Sequence, residues 1–101
     1  MKPTHLLAAA GALLLTACFA TLDDLSELKK EAAACAPGDT CVFAGGLDCT
    51  CASPVNAKRA AEVEALAESV SCFGEGMVEC GYGPEAGAAC VEGRCEPAAA
   101  L

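Results

Sequence analysis

The 101-residue chain has no tryptophan, four other aromatic residues, one histidine and six basic residues. Each scarcity excludes a class of function. Phe43, Phe73 and Tyr82 are too few and too scattered to form a stacking platform for nucleic acid, and the reading for them is core packing. The histidine, His5, lies ahead of a short apolar run at the N-terminus, so the rest of the chain has no imidazole. That removes Ser-His-Asp and Cys-His mechanisms and any zinc site with imidazole ligands. No run approaches the roughly 20 apolar residues that a membrane-spanning helix needs. Gly45-Gly46 lacks the lysine and the following helix of a phosphate loop. Glu62, Glu64 and Glu68 read as a solvated helix face, because a domain this small scarcely encloses a cleft for paired-carboxylate chemistry. The chain has no internal repeat. These exclusions leave no catalytic residue and no cofactor to name.

The N-terminal segment carries the most specific pattern. Lys2 precedes an apolar stretch from Leu6 to Leu15, the right length for the core of an export signal. Leu15-Thr16-Ala17-Cys18 follows directly. This run resembles the lipobox of bacterial lipoprotein precursors, with an aliphatic residue, two small residues and the cysteine in order. The resemblance implies a signal peptide over 1–17, cleavage before Cys18, and attachment of a diacylglyceryl group to its sulfur. Two or more acyl chains make such anchoring stable, at about 0.8 kcal/mol per buried methylene. An ordinary secretory signal cut near Ala20 is the competing reading, and both imply export. Phe19 after the cysteine avoids the aspartate that retains enteric lipoproteins at the inner membrane, which points to the outer membrane.

Beyond Cys18 the chain holds fourteen acidic and five basic residues, a net charge of −9. Such a surface repels phosphate backbones, so no nucleic-acid partner is expected. The 54% apolar content is largely alanine and cysteine, and large apolar residues are few. Those expected in the core are Val42, Phe43, Leu47, Val55, Val63, Leu66, Val70, Phe73, Met77, Val78, Tyr82 and Val91. Eight cysteines remain after Cys18: Cys35, Cys41, Cys49, Cys51, Cys72, Cys80, Cys90 and Cys95. An even number in a short exported chain reads as four disulfides, each contributing about 2–4 kcal/mol. Their connectivity is open.

Thr21 with Asp24 predicts a capped helix, and Leu22, Leu25 and Leu28 share one of its faces. This helix falls in a segment, 18–34, that reads as a stalk or tether below the domain. Pro37-Gly38-Asp39 signals a turn, Thr40 to Ala44 a strand, Gly45-Gly46 a second turn, and Leu47 to Thr50 another strand. The main helix is predicted from Val63, Leu66, Ala67 and Val70, capped either by Ser53 before Pro54 or by Asn56. Met77 to Tyr82 and Ala88 to Cys90 are further strand candidates, and Cys90 to Cys95 predicts a tight hairpin with Gly93 at a positive-φ position.

Cys49-Thr50-Cys51 is the most compact cysteine motif. A bond between its own two sulfurs is disfavoured by the distance between alternate α-carbons, so each is expected to reach a different partner. A redox-active pair and a thiolate metal site are the other two readings, and both need free thiols. Together with the Pro54 to Asn56 helix start and the closing Ala89 to Cys95 segment, the motif resembles small cysteine-rich exported proteins of myxobacteria-like bacteria. That resemblance implies location and style of fold without implying an activity.

The expected organisation is a signal peptide over 1–17, a lipidated stalk over 18–34, an α+β disulfide-rich domain over 35–97, and a loose tail over 98–101. The domain is expected to pack one main helix on a short antiparallel sheet. The expected function is that of a lipid-anchored envelope protein with an interaction or structural role, no metal and no catalysis. It is held to the membrane by its lipid and meets a protein partner at the cell surface. The alternative is a small inhibitor or toxin-like module that presents a rigid loop, at Gly81 to Gly87 or Gly45 to Asp48.

Overall fold

A computed structural model describes residues 20–100. The expected signal peptide over 1–17, Cys18, Phe19 and Leu101 lie outside the described residues. The fold is α+β and disulfide-rich, with two α-helices, two two-stranded antiparallel sheets and four disulfides among the described residues.

Helix α1 spans Leu22–Ala32. The Thr21 hydroxyl accepts the Asp24 N–H at 3.2 Å, and the Asp24 carboxylate accepts the Thr21 N–H at 2.9 Å. Two amides that a helix start leaves unpaired are thereby satisfied. The predicted helix is present, but it is not a free stalk. Leu25 and Ala32 are fully buried, Leu22 and Leu28 pack beside them, and the helix lies against the second helix and the first sheet. A helix of this length is marginal alone in water, and burial of this one face is what holds it.

Strand β1 (Cys41–Ala44) pairs antiparallel with β2 (Ser53–Asn56), with Val42 opposite Val55 and Phe43 opposite Pro54. Pro54 lacks an N–H, which a two-stranded sheet tolerates because each strand is an edge. The strand rules out the Ser53 cap. Asn56 takes that role, accepting the Lys58 N–H at 3.0 Å and starting a 3-10 turn, Ala57–Arg59, that leads into α2 (Ala60–Glu68). Val63 and Ala67 on α2, with Val70 just beyond it, complete the core around Leu25, Ala32, Ala44 and Val55.

Strands β3 (Ala88–Val91) and β4 (Arg94–Pro97) form the predicted hairpin, with Cys90 opposite Cys95. Both turn residues are left-handed, Glu92 at φ 51° and Gly93 at φ 84°, the geometry that matches strand twist in a two-residue loop. The chain leaving α1 runs along β4, where the Cys35 N–H reaches the Gly93 carbonyl and the Cys95 N–H reaches that of Ala33. The two hairpins pack on one another. Residues 98–100 form a short 3-10 turn, and the Ala98 N–H bonds the Gly87 carbonyl at 2.9 Å.

Other expectations need correction. Leu47 to Thr50 is a tight turn closed by reciprocal bonds between those two residues, because Asp48 and Cys49 occupy its tip. Met77 to Tyr82 forms no strand, since no neighbouring segment pairs with it. Of the residues expected inside, Phe73, Met77, Val78 and Tyr82 are exposed.

Candidate functional site

Residues 71–87 differ from the rest of the described chain. Five of the ten glycines fall there, and a single 3-10 turn, Pro84–Ala86, is their only regular structure. Glycine pays a large entropic cost to be ordered, and this density leaves little side-chain surface to offset it. The segment is therefore held by covalent bonds. Cys72 is bonded to Cys49 and Cys80 to Cys51, so the two ends of the Cys-x-Cys motif carry the loop on separate arms. One backbone bond supports the arms, from the Val78 N–H to the Asp48 carbonyl at 3.1 Å.

The base that bears these arms is built firmly. Cys49 is buried at the tip of the Leu47–Thr50 turn. The Lys29 ammonium donates to the Cys51 carbonyl at 2.8 Å, although Lys29 is only 8% exposed. Burial pushes the amine's pKa down, and the Glu64 carboxylate partly opposes that shift. Glu64 also accepts the Gly45 N–H, so it is more than a solvated face of α2. Gly45 sits at φ +81°, and a β-carbon there would lie 2.6 Å from Lys29 Cε and 2.8 Å from Val63 Cγ1. Lysine, glycine and glutamate thus lock the β1–β2 connection onto both helices. Gly45 to Asp48 is for that reason no free loop, whereas Gly81 to Gly87 belongs to the exposed segment.

The loop itself presents apolar groups to solvent. Phe73 is 95% exposed and Met77 83%, with Val78 and Tyr82 about half so. Burying a phenylalanine or methionine side chain contributes roughly 1.5–3 kcal/mol, and this fold gains almost none of that from either residue. Phe73 and Gly74 form the tip of a turn closed by the Glu75 N–H on the Cys72 carbonyl at 2.9 Å. Gly74 takes the positive φ, +82°, that such a turn requires at its third position. Glu75, Glu79 and Glu85 add charge of one sign, and no basic residue occurs between Arg59 and Arg94.

All eight cysteines after Cys18 are paired, Cys35 with Cys90 and Cys41 with Cys95 in addition to the two arms. The expectation that Cys49 and Cys51 take different partners holds. The sulfurs of Cys35, Cys41 and Cys95 lie within 4.8 Å of one another because two disulfides are neighbours. Each sulfur already carries its covalent bond, so the group offers no thiolate to a cation while the disulfides are closed. Between α1, β2 and β4 lies an open groove of about 510 Å³, lined by Lys29, Lys30 and Arg94 but also by Asp23 and Glu96. Its mixed charge selects no ion.

The exposed apolar set was hidden from sequence reasoning by its residue types, which read as core. The available signal was glycine density without helical or strand periodicity from Gly74 to Gly87. No known protein family, curated protein or solved structure matches the chain.

Proposed function

We propose that this chain is a lipid-anchored envelope protein whose disulfide domain serves interaction or structure at the cell surface, without catalysis. The observation that carries this reading is the loop of residues 71–87, which exposes Phe73 and Met77 on two covalent arms instead of burying them. Four apolar groups exposed on one short loop suit a contact surface better than the singly scattered apolar residues of an ordinary surface. The lipobox-like Leu15 to Cys18 supports the anchor, and four closed pairs among the other eight cysteines fit an oxidising, exported setting. Phe19 supports the outer membrane as its location.

The test is the intact mass of the protein extracted from membranes and alkylated without reduction. The expected species begins at Cys18, is heavier by an acylated glyceryl group, and carries no alkyl label. An unlipidated chain recovered from the medium overturns the anchor. Uptake of several labels overturns the closed scaffold and brings the thiol redox and metal readings forward.

The covalently clamped loop also favours a second reading, a small inhibitor or toxin-like module that inserts the loop into a partner's cleft. The oxidised domain is then expected to inhibit a member of a protease panel. No effect at micromolar concentration sinks that version.

A further inference from the structure

We infer that the partner of the Phe73 loop is the bilayer itself, so that the domain rests on the membrane through this loop beside its lipid anchor. The inference rests on the lipid-anchor reading above and names the surface that the loop meets.

The geometry comes from where the chain enters the fold. Ala20, Thr21, Leu22 and Asp23 form one wall of a shallow cleft, and Ser71 and Glu75 form the other. Ser71 and Glu75 bracket the turn that carries Phe73 at its tip. The entry point of the chain and the base of the apolar tip are therefore the two lips of one cleft. Cys18 precedes Ala20 by two residues, so their α-carbons are separated by at most about 7 Å. A lipid on Cys18 holds Ala20 close to the headgroups, and the opposite lip comes with it. Phe73 then faces the lipid, with Met77 four residues further along the same exposed loop.

Three further features suit that surroundings. No protein atom comes within 4 Å of a β-carbon built on Gly74, Gly76 or Gly81, so the tip stands clear of the body. Phenylalanine and methionine are apolar enough to enter the headgroup and acyl boundary without a helix. The covalent anchor also keeps the surface permanently beside the loop, an effective concentration that a diffusing partner does not have. Asp23 and Glu75 line the cleft on its two sides, Asp24 and Glu79 follow on the same segments, and Lys29 and Lys30 lie at the far end of α1. That acidic rim suits zwitterionic headgroups and repels anionic ones. Because acyl chains already supply the attachment, the loop fixes the orientation of the domain and adds little to its residence on the membrane.

The chain has no tryptophan, so one introduced residue reports alone. Lipidated full-length mature protein carrying Phe73→Trp is placed in phosphatidylethanolamine–phosphatidylcholine vesicles with and without acyl-chain bromine. Ala61→Trp, on the exposed side of α2, is the control. The Phe73→Trp emission is expected to shift to the blue and to lose most of its intensity to the bromines, while Ala61→Trp does neither. Protein that floats with the vesicles but keeps a water-like, unquenched Phe73→Trp signal overturns the inference and leaves the anchor standing. A blue shift seen in native envelopes but absent from pure lipid also overturns it, in favour of a protein groove. Failure to float removes the anchor reading and this inference with it.

Discussion

Cys35–Cys90 and Cys41–Cys95 join pieces of chain that already share a hydrogen-bonded frame and a core. Cys49–Cys72 and Cys51–Cys80 join a well-built turn to a segment that has neither. Loop length alone hardly distinguishes the two sets. Separations of 55 and 54 residues against 23 and 29 correspond to about 4 and about 3.5 kcal/mol of entropy removed from the unfolded chain. The difference lies in the folded state. Breaking a bond in the body frees the unfolded chain and leaves the native frame in place. Breaking an arm frees the native loop as well, and the two gains in freedom largely cancel. The body uses its disulfides for stability, and the loop uses them for position.

The largest predicted effect tests that distinction directly. Replacing Cys41 and Cys95 together by alanine is expected to cost about 4–5 kcal/mol, nearly the whole stability of a domain at the low end of the ordinary range of about 5–15 kcal/mol. Both residues are buried, so lost packing adds to the entropic term. Replacing Cys51 and Cys80 together is expected to cost about 1–2 kcal/mol, with faster proteolysis confined to residues 71–87. Urea unfolding and limited proteolysis of the two variants measure this. Equal losses from both pairs break the comparison.

Glycines sharpen it at the next level. Gly45 and Gly74 have nearly the same left-handed φ, +81° and +82°, but a β-carbon on Gly45 meets Lys29 and Val63 while one on Gly74 meets nothing. Gly45→Ala therefore combines backbone strain with overpacking and is expected to cost about 2–5 kcal/mol. Gly74→Ala carries the strain alone, about 1–2 kcal/mol, and a loop free to relax lowers even that. The difference in urea midpoint between the two variants is the readout.

Titration acts on the body through Asp39. Its carboxylate accepts the Ala36 N–H and an Asn56 side-chain N–H, each at 2.9 Å, and a Lys58 N–H at 3.3 Å. These bonds, led by the Ala36 amide, hold its pKa below the usual carboxylate range. The folded state thus binds the proton more weakly than the unfolded state. Its contribution is complete above about pH 4 and is lost as pH falls from there through the lowered folded value. Asp39→Asn is expected to be less stable near neutrality and to lose stability less steeply as pH falls below about 4. Urea midpoints across that range check the slope, and an unchanged slope removes Asp39 as a source of acid sensitivity.

Legibility in the sequence followed the same division. Where side chains repeat with a structural period, the reading reached the element: Leu25 and Leu28 on α1, Val63 and Ala67 on α2, and Cys90 to Cys95 in the hairpin. Thr21 and Asp24 announced their cap because the contact is three residues long. Packing of α1 was not legible, because it depends on Val55, Val63 and the Gly45 notch, far away in sequence. Ser53 to Asn56 looked like a helix start because Pro54 suits one, but pairing with β1 outweighed that local preference. The candidate site was misread for a simpler reason. Apolar type predicts burial only where there is a core to enter, and Phe73 and Met77 lie on the glycine-rich loop that runs beyond it.

The smallest predicted effect is the one that defines the loop. Phe73→Ser and Met77→Ser are expected to change unfolding free energy by no more than about 0.5 kcal/mol, the range of ordinary surface substitutions. The reasoning is that a side chain 95% or 83% exposed has almost no native contact to lose. A polar substitution at a buried site would instead leave an unpaired hydroxyl in the core, and the loss would reach several times that figure. Chemical denaturation of the paired variant resolves the two cases. A drop of 2 kcal/mol, about the worth of one buried side chain, would place Phe73 or Met77 against the body and merge the two regions into one. Unchanged stability leaves both residues without a folding role and free to serve a contact outside the domain.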